Sequence, residues 1–173
     1  MTFKHELVQL KELNTKSSDT GRFYETPEGQ SYPSVTTITG LLSKASILAW
    51  RQRVGDSKAD AITKAATTRG NKVHKMAEMY LRNEMASQIN LFEDPMPHIE
   101  NMFFQLTELL DNSIGIINAI EAPLYSDQLK VGGRVDVIAE WDGELAVIDF
   151  KTSSKPKKES WIELKEMILS FTL

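Results

Sequence analysis

The chain has 173 residues, with 24 acidic against 20 basic side chains and a net charge of −4, so no overall basic field marks it as a nucleic-acid binder. It holds no cysteine, which excludes disulfides, thiolate zinc sites and cysteine-ligated clusters. The apolar and charged fractions, 41% and 25%, are those of a soluble globular protein of one domain.

Residues 1–20 are polar and loosely patterned, and the expectation is a short helix and a linker. They show neither a long apolar run nor an Arg-rich, acid-free leader, so a cytoplasmic protein with no membrane partner is expected. Residues 21–173 are expected to form a single domain. "RFYETPEGQSYPS" predicts a hairpin around Pro27-Glu28-Gly29. Ser34 then caps a helix entry at "VTTITGLLSK". "ASILAWRQRVG" continues helically, and the spacing of Ile47, Trp50 and Val54 predicts a core stripe. "DSKADAITKAATTRGNKVHKMAEMYLR" predicts another helix, with Asp56 or Ser57 near its start. Its apolar stripe is Ile62, Ala66, Val73, Ala77 and Tyr80, and His74 and Glu78 lie one turn apart at the edge of that stripe. "DPMPHIENMFFQLTELLDN" is a helix opened near Pro97, with Phe103 and Phe104 as packing residues. Three strands follow, in "GIINAIEAPLYSD", "KVGGRVDVIAEW" and "ELAVIDFKT", and a final helix from about Lys158 carries a stripe of Trp161, Leu164, Ile168 and Phe171. The fold class is α/β, a mixed sheet flanked by helices.

The last two strands each carry an acid, Asp136 and Asp149, inside an apolar run. Asp142-Gly143 is the favoured centre of a two-residue hairpin turn. In that register Trp141 pairs with Glu144, Val137 with Ile148 and Asp136 with Asp149. Directly opposed like charges repel unless a cation sits between them. A lone acid in a strand is ordinarily an exposed or edge residue. For both acids together that explanation is weak, because "VDVIA" and "LAVIDF" suit a sheet covered on both faces. Asp149 and Lys151 share a face by the strand period of two, and Arg134 is expected opposite Lys151. An acidic pair beside a lysine points to a hard divalent cation, Mg²⁺ or Mn²⁺.

"GGRVDVIAEWDGELAVIDFKTS" resembles the core of the PD-(D/E)XK nuclease superfamily, in the RecB-type branch. More narrowly it is similar to the group of mitochondrial genome maintenance exonucleases and their phage relatives. The matching residues are Gly133, Asp136, Asp149, Phe150, Lys151, Thr152, Ser153, Lys155, Pro156 and Lys157. "PSVTTIT" (33–39) and "RGNKVHKMAE" (69–78) resemble family segments upstream, in the family's order.

The resemblance implies a restriction-endonuclease-like core and a Mg²⁺- or Mn²⁺-dependent DNA exonuclease acting on single-stranded ends. It implies that Asp136 and Asp149 hold the metal, that the Phe150 carbonyl adds a ligand, and that His74 is a further metal ligand. Lys151 would orient or help to deprotonate the attacking water. Glu78 is left open between the metal side and a boundary role, and His5 and His98 are assigned nothing. Lys155, Lys157 and Lys158 either contact phosphates or form a solvated turn. Two other readings stay open, a structure-specific endonuclease on the same core and a non-catalytic DNA-binding fragment. "WIELKEMILSFTL" departs from the family, lacking its Gln-x-x-x-Tyr pattern. The resulting expectation is a domain short of its C-terminal elements, with a C-terminal companion segment as a partner. For a phage-encoded chain the expected location is the host cytoplasm.

Overall fold

The structure is a computed structural model that describes residues 2–85 and 97–153. The expected C-terminal helix, its stripe of Trp161, Leu164, Ile168 and Phe171, and Lys155, Pro156, Lys157 and Lys158 lie outside the described residues.

The elements in chain order are β1 (Lys4–His5), β2 (Asn14–Ser18), β3 (Gly21–Glu25), β4 (Ser31–Pro33), α1 (Val35–Val54), α2 (Asp56–Leu81), α3 (Pro97–Ser113), β5 (Ile114–Ser126), β6 (Val131–Trp141) and β7 (Glu144–Ile148). They build an α/β arrangement with two sheets. The larger runs β1-β5-β6-β7 and the smaller β2-β3-β4. The larger sheet is mixed, because β1 lies parallel to β5 while the remaining pairs are antiparallel. The N-terminal segment is therefore not a helix and linker. It contributes an edge strand to the main sheet and, through β2, a strand to the small one. Local polarity hid this, since β2 is exposed along its whole length and is held by pairing with β3 rather than by burial.

The small sheet contains the expected hairpin, with β3 and β4 joined through a turn in which Gly29 adopts φ 80. It docks on the larger sheet where Ser34 bridges Gly132. Gly132 is needed there, because a Cβ at this position would lie 2.7 Å from the Cβ of buried Tyr24.

Ser34 caps α1, its hydroxyl accepting the Thr37 N–H at 2.9 Å. Gly55, at φ 84, ends α1 and admits α2. The expected core stripe of α1 is corrected. The helix has no buried residue, Ile47 is exposed, and Trp50 and Val54 are only half-buried. Its anchoring contacts are at its first turn, where Ser34 and Thr37 bond the β3–β4 region. Burial in α2 is concentrated towards its C-terminal end, at Val73, Met76, Ala77, Met79 and Leu81, with Ala59 buried near its start, while Ile62 is exposed. Among the described residues no helix is long and apolar enough to cross a membrane.

The main core joins Ala77 and Leu81 of α2, Leu110 of α3, Ile117 and Ile120 of β5, Val137 and Ala139 of β6, and Phe150 beyond β7. Val73 and Met76 pack with Ile99 and Phe103 of α3 in a second cluster. Phe103 is thus a packing residue, whereas Phe104 is exposed. Leu145 and Val147 of β7 are also exposed, so this end of the sheet is not covered on both faces by described residues.

The β6–β7 hairpin has the expected register. Asp142 (φ 51) and Gly143 (φ 87) both take positive φ, the requirement of a type I′ turn. Pairing runs from Trp141↔Glu144 to Val137↔Ile148 and stops there. Asp136 and Asp149 are thus one step past the last ladder pair. The chain leaves the ladder at that point because the Phe150 N–H donates to the Asp136 carboxylate at 2.6 Å.

Candidate metal centre

Three elements deliver one ligating side chain each. His74 comes from α2, Glu121 from β5 and Asp136 from β6, and their ligand atoms all lie within 4.8 Å of one another. His74 Nδ1 stands 3.4 Å from Asp136 Oδ1. The other Asp136 oxygen, Oδ2, accepts the Phe150 N–H. The His74 ring stands edge-on to the Phe150 ring, 6.0 Å between centroids and 82° between planes. Phe150 is buried in the main core, so its aromatic ring anchors the Asp149–Lys151 segment against α2 and the sheet. Two residues further on, Thr152 Oγ1 lies close to Gly70 on α2, four residues before His74.

Electrostatics divide the three groups. Burial pushes the Asp136 carboxyl up, but bonds from His74 and from the Phe150 N–H outweigh it and the net displacement is downward. Asp136 is thereby held ionised. The hydrogen bond to Asp136 raises His74, against the opposing effect of burial. Burial raises Glu121, and the charges of Asp136 and Glu78 push the same way. Two carboxylates and an imidazole at this separation could hold a metal ion, which would neutralise the acids and displace the His74 proton.

The other expected residues are distributed around this core. Asp149 is not one of the three clustered ligands. Its carboxylate is paired with the Lys151 ammonium, which also lies 3.5 Å from the Phe150 carbonyl oxygen. The opposed-acid picture of the hairpin is therefore corrected, since Asp136 is bonded to Phe150 and His74 while Asp149 is bonded to Lys151. Glu78 is taken up by Lys75 at 3.0 Å and Arg82 at 3.1 Å. Burial opposes its ionisation, yet these two bonds leave its carboxyl below the usual range. Arg134 is bonded away from Lys151, donating to the Glu121 carbonyl and to Glu12.

Glu121 escaped the sequence reading. Its signal was present in "IINAIEAPL", a charged residue in an apolar strand, the same anomaly that drew attention to Asp136 and Asp149. It lies between the pairs Ile120↔Val137 and Ala122↔Val135, which sets position 121 opposite position 136 on the neighbouring strand.

No protein-family model matches the chain. It is 34% identical over 116 residues to mitochondrial genome maintenance exonuclease 1 of Mus musculus, a match covering 62% of this chain and 32% of that protein. The Homo sapiens protein of the same name is 26% identical over 133 residues, covering 72% of this chain and 38% of the relative. The Xenopus tropicalis protein is 29% identical over 136 residues, covering 72% and 37%. The chain thus spans about a third of the length of these relatives. Their shared name supports a nuclease family for it.

Proposed function

We propose that this chain is the catalytic part of a divalent-metal-dependent DNA exonuclease built on a RecB-type PD-(D/E)XK core. The observation that carries the reading is the meeting of His74, Glu121 and Asp136 beside the Asp149–Phe150–Lys151 segment, in a chain whose relatives bear an exonuclease name. His74, Glu121 and Asp136 hold the cation, with Asp149 and the Phe150 carbonyl as the further ligands that the family resemblance implies. When bound, the cation lowers the pKa of a water and polarises the scissile phosphoryl group. Asp136 arrives ionised, through its bonds to Phe150 and His74, and so supplies negative charge without first losing a proton. Lys151 exchanges its contact with Asp149 for the substrate, where its ammonium orients the nucleophile and opposes charge building on the phosphate.

The test is digestion of end-labelled linear and circular single-stranded DNA, with and without Mg²⁺ or Mn²⁺. The expected result is loss of the linear strand only, and only with metal. Equal loss of both substrates makes the chain an endonuclease, and loss of neither refutes catalysis by this chain.

A further inference from the structure

We propose that Arg134 is a positioning residue for the metal centre, holding Glu121 in the backbone conformation that brings its carboxylate to Asp136 and His74. The inference rests on the metal-centre reading above.

Glu121 has φ 51, a left-handed conformation that a non-glycine residue rarely adopts within a strand. Such a residue persists only where its surroundings fix it, and here two guanidinium groups do so. Arg82, at the end of α2, donates to the Ile120 carbonyl at 3.2 Å. Arg134, on β6, donates to the next carbonyl, that of Glu121. Two consecutive β5 carbonyls are thus taken by side chains from two other elements, the end of α2 and β6. Arg82 is itself steadied by Glu78, and Arg134 by Glu12, whose carboxylate accepts its other terminal nitrogen at 2.9 Å.

The residue type matters. A planar guanidinium presents two terminal nitrogens in a fixed fork and reaches a backbone carbonyl and a carboxylate together. A lysine offers one nitrogen on a flexible stem. The Arg134 charge also favours an ionised Glu121, against the burial and the neighbouring Asp136 and Glu78 that disfavour it. Arg134 stands two residues from Asp136, so one stretch of β6 supplies both a ligand and the clamp on the backbone of the residue opposite it.

Calorimetric titration of the full chain with Mn²⁺ in the absence of DNA tests this directly, with Asp136→Asn as the control for the centre itself. Arg134→Gln and Glu121→Gln should each weaken Mn²⁺ binding by about 10- to 100-fold, the range for residues that orient ligands. The double variant should be no weaker than the worse single one, because Arg134 acts on the metal only through the placement of the Glu121 carboxylate, which Glu121→Gln already removes. Arg134→Lys should fall between wild type and Arg134→Gln. A lower melting point in chelator with an unchanged Mn²⁺ Kd would mean that Arg134 serves the fold alone, and the proposal would be overturned. If Arg134→Gln does not fold, Arg134→Lys decides, since a wild-type Kd in that variant also overturns it. Absence of Mn²⁺ binding by wild type and Asp136→Asn alike refutes the metal centre, and the role of Arg134 with it. Binding lost only in Asp136→Asn refutes Arg134's role and leaves the centre standing.

Discussion

Replacing Asp136 by Asn separates two opposite accounts of this site. If crowding of acids dominated, removing one charge would stabilise the metal-free protein. The geometry gives the reverse. Asp136 accepts the Phe150 N–H at 2.6 Å and lies 3.4 Å from His74, and its carboxyl is held below its usual range despite burial. A charge-assisted hydrogen bond is about twice as strong as a neutral one, which contributes ~1 kcal/mol. Asn retains the Phe150 bond at neutral strength and loses the charge of the His74 pair, so the metal-free cost should be about 1–2 kcal/mol. For a chain of this size that corresponds to roughly 2–8 °C in melting temperature. Saturating metal at about 100 Kd adds ~2.7 kcal/mol to wild type alone, so the gap should widen in Mg²⁺.

The pH dependence has a definite sign. Asp136, with a lowered folded pKa, contributes stability above its ordinary carboxyl pKa, lost as pH falls through the folded value. His74, with a raised one, contributes stability below the ordinary imidazole pKa, lost as pH rises through its folded value. The Asp136→Asn penalty in chelator should therefore peak between those ordinary values, near pH 5, and shrink under alkaline conditions. Thermal melts in chelator across pH 4–9 measure it. A variant as stable as wild type at pH 5 without metal would show that repulsion among the acids outweighs the bonds to His74 and Phe150.

Lys151→Ala should abolish metal-dependent cleavage while leaving the circular dichroism spectrum and Mn²⁺ binding in place, because its ammonium pairs with Asp149 at the surface rather than in the core. Retained cleavage would remove the lysine from the mechanism. Gly132→Ala should cost about 1–3 kcal/mol in urea unfolding, since the new Cβ would meet Tyr24 at 2.7 Å. An unchanged midpoint would show that the small sheet is not seated on β6 as described. Tyr80→Phe removes a 2.7 Å bond to Asp111 and should cost about 1 kcal/mol at neutral pH. Burial, reinforced by Asp111, pushes the Tyr80 hydroxyl up to about 12, so its contribution is present below the ordinary tyrosine pKa and is lost as pH rises through about 12. Difference melts between pH 9 and 12 should show that loss in wild type and not in the variant.

The parts of this protein that were legible in its sequence are those specified by a few adjacent residues. Asp142-Gly143 accepts the two positive φ angles of a tight turn, and that turn fixes every pair from Trp141↔Glu144 to Val137↔Ile148. Ser34 and Pro97 mark helix starts for equally local reasons, a side-chain acceptor in one case and a preset φ in the other. Tertiary structure decided what depends on distant chain. The strand at Lys4–His5 exists because Ile116 and Ile117 pair with it across more than a hundred residues, and no periodicity in a two-residue strand announces that. Apolar spacing in α1 predicted a buried face, but spacing states only that a face exists and not that a partner covers it. The acids Asp136 and Asp149 were visible as charges in apolar strands, yet their partners were set by where the ladder ends and by the approach of α2. Glu121 joins His74 and Asp136 through a left-handed residue in mid-strand, a conformation that glutamate does not choose by itself and that the folded surroundings impose.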